Sequence, residues 1–270
     1  ASDWSSDVCS SDLPQYHTAE IVVGHERKLK RSIQEKDIII VDSQNTKKDL
    51  FKYYPQIKNT NKIKIIYPAV DPKFKIIKDQ DKIKKVLRKY HIQYPKNYLL
   101  YVGAIEPRKN LTTAIKVFHQ LITNKYPRPD NLQLTANLQF LIVGRAGWKN
   151  EEIFQLVQDL KLEKKVKFVG FVKDNDLVYF YNACKIFIYL SKYEGFGLPP
   201  LEAAACGKLT LLYNNSSLKE IFKENYPFTQ EKKELRVIKQ LLLEQPKSNY
   251  FLPKNSWYDF ILKFKKLYYN

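Results

Sequence analysis

Methionine is absent from this chain of 270 residues. A natural reading frame starts with one, so the chain is expected to be a piece of something longer. Glycine is scarce, with eight residues, and each one ending an apolar run marks a candidate turn or close backbone approach. Cysteine occurs three times, at Cys9, Cys184 and Cys206. These make no CxxC pair and no disulfide framework, and they read as reduced, buried thiols of a cytosolic protein. No run of about 18 apolar residues is present, so no transmembrane helix is expected. The start has neither the basic nor the apolar region of a signal peptide. Arginine is scarce as well: 7 of the 46 basic residues, the other 39 being lysine. Sites that read nucleic-acid bases lean on arginine, and no nucleic-acid-binding motif accompanies the lysines. No GxGxxG or Walker A pattern occurs either.

What is abundant is lysine, giving a formal charge of +18. The lysines are scattered over helix-like stretches and read first as a solvated surface. A basic face resting on anionic lipid at the inner side of a membrane is the second reading, and a nucleic-acid surface the third. The first residues break this composition. DWSSDVCSSDL contains no lysine and is rich in Ser and Asp. Read back into codons, it resembles a sequencing adapter. Residues 1–13 are therefore expected to be non-native and to lack packed structure.

From about residue 96 short β-rich runs alternate with helix-like stretches. Strands are expected at 98–102, 139–143, 166–171, 186–190 and 209–213. They are almost continuously apolar, as strands covered on both faces must be. Helices are expected at 111–124, 151–162, 175–184, 199–206 and 217–224. Asn150 reads as an N-cap and Ser217 with Glu220 as a capping box. This alternation predicts an α/β fold with a parallel, doubly wound sheet, in which ligands sit beyond the C-terminal strand ends. Upstream, DIIIVD with a helix from Ser43 to about Tyr54, then IKIIY at 63–67, reads as the tail of a second such domain. Residues 72–95 read as a charged linker with a helix, and 257–269 as a C-terminal helix.

Three loops follow strands. In VGAIEPRKNL, Gly103 ends a strand, and Arg108 and Lys109 stand just before a helix; a helix N-terminus with two cations attracts anions. An Arg-Lys pair in a loop is otherwise plain surface. In VGRAGW, Gly144 and Gly147 read equally as a structural turn or a ligand contact. In SKYEGFGLPPLEAAACG, Glu194 ends a strand. Gly195, Phe196, Gly197 and Leu198 make a bare turn, two prolines open a helix, and Glu202 is placed in the first helical turn. Two carboxylates flanking such a turn suit hydroxyls beside a phosphate.

YVGAIEPRKNL, the segment from VKFVGF through EGFGLPPLEAAACGK, and NNSSLKEI together resemble the retaining GT-B glycosyltransferases of family 4, the group 1 glycosyl transferases. The match is dense from 98 to 221. Glu194 to Glu202 is similar to that family's paired-glutamate motif. The resemblance implies a complete donor-binding Rossmann-like domain (96–255) and the remnant of an acceptor-binding domain (14–71). It also implies a C-terminal helix (256–270) crossing back. Arg108 and Lys109 would hold the diphosphate of a GDP- or UDP-sugar and neutralise the leaving group. Glu194 would bind donor-sugar hydroxyls, with Gly103 and Gly195–Leu198 nearby. Glu202 would hold the ribose, and Gly170, Phe171 and Val172 would border the base. No metal and no cofactor is expected. Transfer would retain configuration by front-face attack, with the leaving phosphate helping to take the acceptor's proton.

PQYHT resembles the mannosyltransferase-like branch, which implies a glycan or lipid-linked acceptor in cell-surface polysaccharide synthesis. After Glu220 the chain departs from the family pattern: the stretch there is short and lacks glycine. With most of the acceptor domain missing, the expected behaviour of this chain is weak donor binding, little or no transfer, and aggregation. The alternative is a nucleotide-sugar-binding module without turnover.

Overall fold

The computed structural model describes residues 15, 19–35, 37–58, 60–93, 97–123, 137–222, 228–243, 262 and 265. The expectations for residues 1–13, for Cys9 and for most of the C-terminal helix fall outside this set.

Two hydrophobic cores form. The smaller one gathers Leu29 of α1 (Ala19–Gln34), Ile39 and Val41 of β1 (Ile39–Val41), Leu50 of α2 (Gln44–Tyr53) and Ile63 of β2 (Ile63–Ile65). β1 and β2 pair in parallel. Ser43 caps α2 by accepting from Thr46 N, worth about 1 kcal/mol. The amphipathic α3 (Gln80–Lys89) is capped by Asp79 and already belongs to the larger core through Ile83, Val86 and Leu87.

The larger core surrounds six strands: β3 (Tyr98–Val102), β4 (Gln139–Val143), β5 (Val166–Gly170), β6 (Ile186–Tyr189), β7 (Leu209–Tyr213) and β8 (Phe228–Thr229). All pairs are parallel, in the order β5-β4-β3-β6-β7-β8. Every residue of β3, β6 and β7 is buried, which is why those runs carry no alternation. The covering helices are α4 (Leu111–Thr123), α5 (Glu151–Asp159), α6 (Asp174–Ala183), α7 (Leu198–Ala205), α8 (Ser216–Phe222) and α9 (Glu234–Leu243). Cys184 and Cys206 are buried free thiols. Among the described residues no helix is long and apolar enough to cross a membrane.

The strand order reverses between β3 and β6. That is the switch point at which connections leave in opposite directions and open a crevice beyond the strand ends. The loops after β3 and β6 meet there.

Several local expectations need correction. Ser217 and Glu220 form no capping box. The Ser217 hydroxyl lies 2.9 Å from Glu194 O and 3.0 Å from Phe196 O, so it ties down the preceding loop instead. Glu220 accepts from Gln44 N, Asn45 N and the Tyr67 hydroxyl. Asn150 precedes α5 but makes no side-chain cap; its amide donates to Gly147 O. The loop Gly144–Gly147 is tied to the loop after β3. Ile105 and Ala146 form a parallel bridge, and Gly147 N donates to Ile105 O. A Cβ on Gly144, at φ +146°, would stand 1.9 Å from Gly103 O. Only glycine permits that approach.

Candidate functional site

The loop after β3 enters a single 3-10 turn, Pro107–Lys109, with Asn110 in the left-handed region, and only then begins α4. This kink turns Arg108 and Lys109 toward the loop after β6. Backbone and side-chain bonds sew the two loops together. Lys192 N donates to Arg108 O at 3.0 Å, and Asn110 Nδ2 donates to Leu190 O at 3.1 Å.

Four charges gather at the seam. Lys109 Nζ donates to Glu194 Oε1 at 2.7 Å and to the Tyr189 hydroxyl at 2.9 Å. Arg108 Nη1 donates to Tyr193 O at 2.8 Å and to Glu194 Oε2 at 3.3 Å. Its Nη2 donates to Glu106 Oε1 at 2.8 Å. Glu106, Lys109 and Glu194 are buried, so the attraction is little screened. Burial alone would raise the Glu194 carboxyl. Lys109 and Arg108 outweigh it and hold the group down at about 2. The two acids and two bases are formally balanced.

Glu202 sits apart from this cluster. It lies in the second turn of α7, not the first, because the helix already begins at Leu198. Its Oε2 accepts from the Tyr181 hydroxyl at 2.7 Å. Burial pushes its carboxyl up to about 7, against the opposing pull of the Tyr181 hydrogen bond and of Lys73. The two glutamates are linked through a row of rings: Tyr189 stacked on Phe187 at 5.8 Å, and Phe187 tilted against Tyr181 at 5.5 Å.

The turn between them is shaped by Gly197, at φ +93°, where a Cβ would meet Leu218 Cδ2 at 2.7 Å. Leu198 is exposed. Phe196 is buried, tilted against Tyr67 at 6.1 Å. The carbonyls of Glu194 and Phe196 bond Ser217, and that of Gly195 accepts from Thr46 at 3.4 Å. Gly103 ends β3 at the crevice, its N–H donating to Val143 O.

Gly170, Phe171 and Val172 lie at the end of β5, two strands from the switch point. Val172 is core, whereas Phe171 is 57% exposed beneath the Arg145 guanidinium, 4.7 Å from the ring centroid. The structure thus joins Arg108, Lys109 and Glu194 directly and Glu202 through an aromatic row. It sets the 170–172 segment at the flank.

Sequence reasoning missed Glu106, Tyr181 and Tyr189. The tyrosines sit inside apolar runs where any aromatic reads as core. Glu106 did have a signal, a carboxylate two residues before the Arg-Lys pair.

A family model described as "Glycosyl transferases group 1" matches residues 80–253. The chain is 29% identical over 217 residues to the O-antigen chain mannosyltransferase B of Escherichia coli, covering 80% of this chain and 53% of that protein. It is 32% identical over 190 residues to the serotype-specific mannosyltransferase WbdA of Escherichia coli, covering 68% of this chain and 22% of that protein. The chain thus spans about half of the first relative's length and less of the second. Among solved structures, WaaG, a glycosyltransferase involved in lipopolysaccharide biosynthesis, superposes with a TM-score of 0.67 at 19% identity, over 85% of this chain and 62% of that one. HepE of Anabaena, in complex with UDP and glucose, superposes with a TM-score of 0.60 at 20% identity, over 76% and 53%.

Proposed function

The chain belongs to the glycosyl transferases group 1 family, and from that premise we propose that its protein moves a hexose from a nucleotide-diphospho-sugar to a glycan or lipid-linked acceptor. The fold is of the GT-B type. A GDP-linked mannose is the donor we favour, because the two relatives described above are named mannosyltransferases, one of them of an O-antigen chain. This donor assignment, retention of configuration and independence from metal are our readings.

One observation carries the proposal: Arg108, Lys109 and Glu194 converge at the reversal of strand order, where a doubly wound sheet binds ligands. The two cations suit a diphosphate, whose charge grows as the sugar bond breaks. An arriving diphosphate competes with Glu194 for them and frees its carboxylate oxygens to accept from sugar hydroxyls. In this reading Glu194 orients the sugar through its freed oxygens, while the acceptor's proton goes to the departing phosphate. Positive charge supplied by side chains is the support for metal independence.

Calorimetric titration of the chain with GDP-mannose and UDP-glucose, beside Lys109→Met, tests donor binding. We expect saturable binding that the substitution abolishes. Binding of neither sugar nucleotide would overturn the reading. A second reading, donor binding without turnover, draws on our assigning every residue gathered here to the donor. Transfer of labelled mannose to an O-antigen acceptor by the protein decides against it.

A further inference from the structure

We propose that Tyr181 is a positioning residue for the ribose of the donor: its hydroxyl fixes the Glu202 carboxylate so that the free oxygen accepts from the sugar's vicinal diol. This rests on the reading of Glu202 as the ribose-binding carboxylate.

The ring of Tyr181 is fully buried and cannot swing. Phe74 meets it edge-on at 5.6 Å, and Phe187 lies tilted against it at 5.5 Å. Its hydroxyl donates to Glu202 Oε2 at 2.7 Å, which leaves Oε1 for a ligand. Glutamate side chains carry several rotamers, and ordering one at the moment of binding weakens affinity. A donor on an immobile ring removes that cost beforehand. It also favours the charged form of a carboxylate that burial disfavours.

The charged and titratable groups around Glu202 are few. Lys73 and Asp71 face it from the segment before α3, and Asp174 and Tyr181 from α6. Cys206 faces it from the end of α7, with Lys208 beyond. Tyr189 of β6 stands on the far side of Tyr181. Of these, Tyr181 is the one seen to hydrogen-bond the carboxylate.

The test is titration of the 270-residue chain with GDP and with 2′,3′-dideoxy-GDP, for the parent, Tyr181→Phe, Glu202→Gln and Glu202→Asp. The parent should prefer GDP by at least about tenfold, the worth of a hydrogen bond to a charged group. Tyr181→Phe should erase most of that preference while leaving the affinity for the dideoxy analogue unchanged. Glu202→Asp keeps the charge but withdraws it from the Tyr181 hydroxyl, and should lose the preference as Glu202→Gln does; it serves also if Tyr181→Phe does not fold.

The parent's preference should fade as pH drops through about 7. In Tyr181→Phe any residual preference should fade at a higher pH, because the hydrogen bond that lowers the carboxyl is gone. A merely structural tyrosine would leave that midpoint in place. A folded Tyr181→Phe that keeps the parent's preference overturns the positioning role alone. A parent that binds no GDP, or does not distinguish the dideoxy form, overturns the ribose reading and the proposal with it.

Discussion

Lys109 reaches across the switch point to Glu194, ammonium to carboxylate at 2.7 Å, and so joins the loop after β3 to the loop after β6. Both side chains are about nine-tenths buried. Removing Lys109 leaves the buried Glu194 carboxylate to Arg108, 3.3 Å away. Lys109→Met should therefore cost about 3 kcal/mol in urea denaturation, the low end for a broken buried pair and more than a surface lysine change. An unchanged midpoint would show that Arg108 alone neutralises Glu194.

Acid should act on this cluster with a definite sign. The Glu194 carboxyl is held below its ordinary 4.5, at about 2, in the folded chain. Its contribution is present above about pH 4.5 and is lost as pH falls from there toward 2. Glu194→Gln should flatten that part of the stability-versus-pH curve, read by thermal melts across the range.

Glu202 should work in the opposite direction. Its carboxyl is raised to about 7 when folded, so the chain should lose stability as pH rises from about 4.5 to 7. Glu202→Gln should match the parent at pH 4 and exceed it at pH 8 by roughly 1 kcal/mol, a modest figure because the group is partly exposed. A variant less stable than the parent at pH 8 would contradict this.

Two glycines should respond differently to alanine. At Gly144 a methyl group would stand 1.9 Å from Gly103 O. The loss should be at least about 3 kcal/mol, from overpacking and strain together. Gly24, inside α1, has nothing within 4 Å of a built Cβ, and Gly24→Ala should stabilise by about 0.5–1 kcal/mol. Chemical denaturation of both variants gives the comparison.

Glu220 holds the first turn of α2 by two backbone N–H groups and accepts from Tyr67 at 2.5 Å. Glu220→Ala should speed hydrogen exchange at amides of 44–50 by about a hundredfold, equal to the loss of one or two charge-assisted bonds. Exchange in β3, β4 and β6 should be unaffected.

The middle of the sheet is legible in the sequence because β3, β6 and β7 are buried along their whole length. A short, almost wholly apolar run fits a covered strand better than a helix. β3, β4 and β7 match residue for residue. β8 is two residues long and too short to leave a pattern. The helices α1 and α9 carry no clear start signal; α1 is held on its surface by Glu26–Lys30 and Arg31–Glu35 pairs. Within the site, charged residues in loops between apolar runs announce themselves. Tyr181 and Tyr189 do not, because a hydroxyl at the edge of a core is invisible in an apolar run. Ser217 and Glu220 mislead because a cap and a tertiary tether use the same residue types.

A set of polar contacts crosses between the two cores. Besides Glu220, the Tyr193 hydroxyl donates to Asp49 at 2.5 Å, Asn45 Nδ2 donates to the Tyr193 hydroxyl, and Thr46 donates to Gly195 O. Water can satisfy each of these groups when they part. Parting these contacts would therefore expose mainly groups that water can satisfy, and would release the Gly195 carbonyl from Thr46.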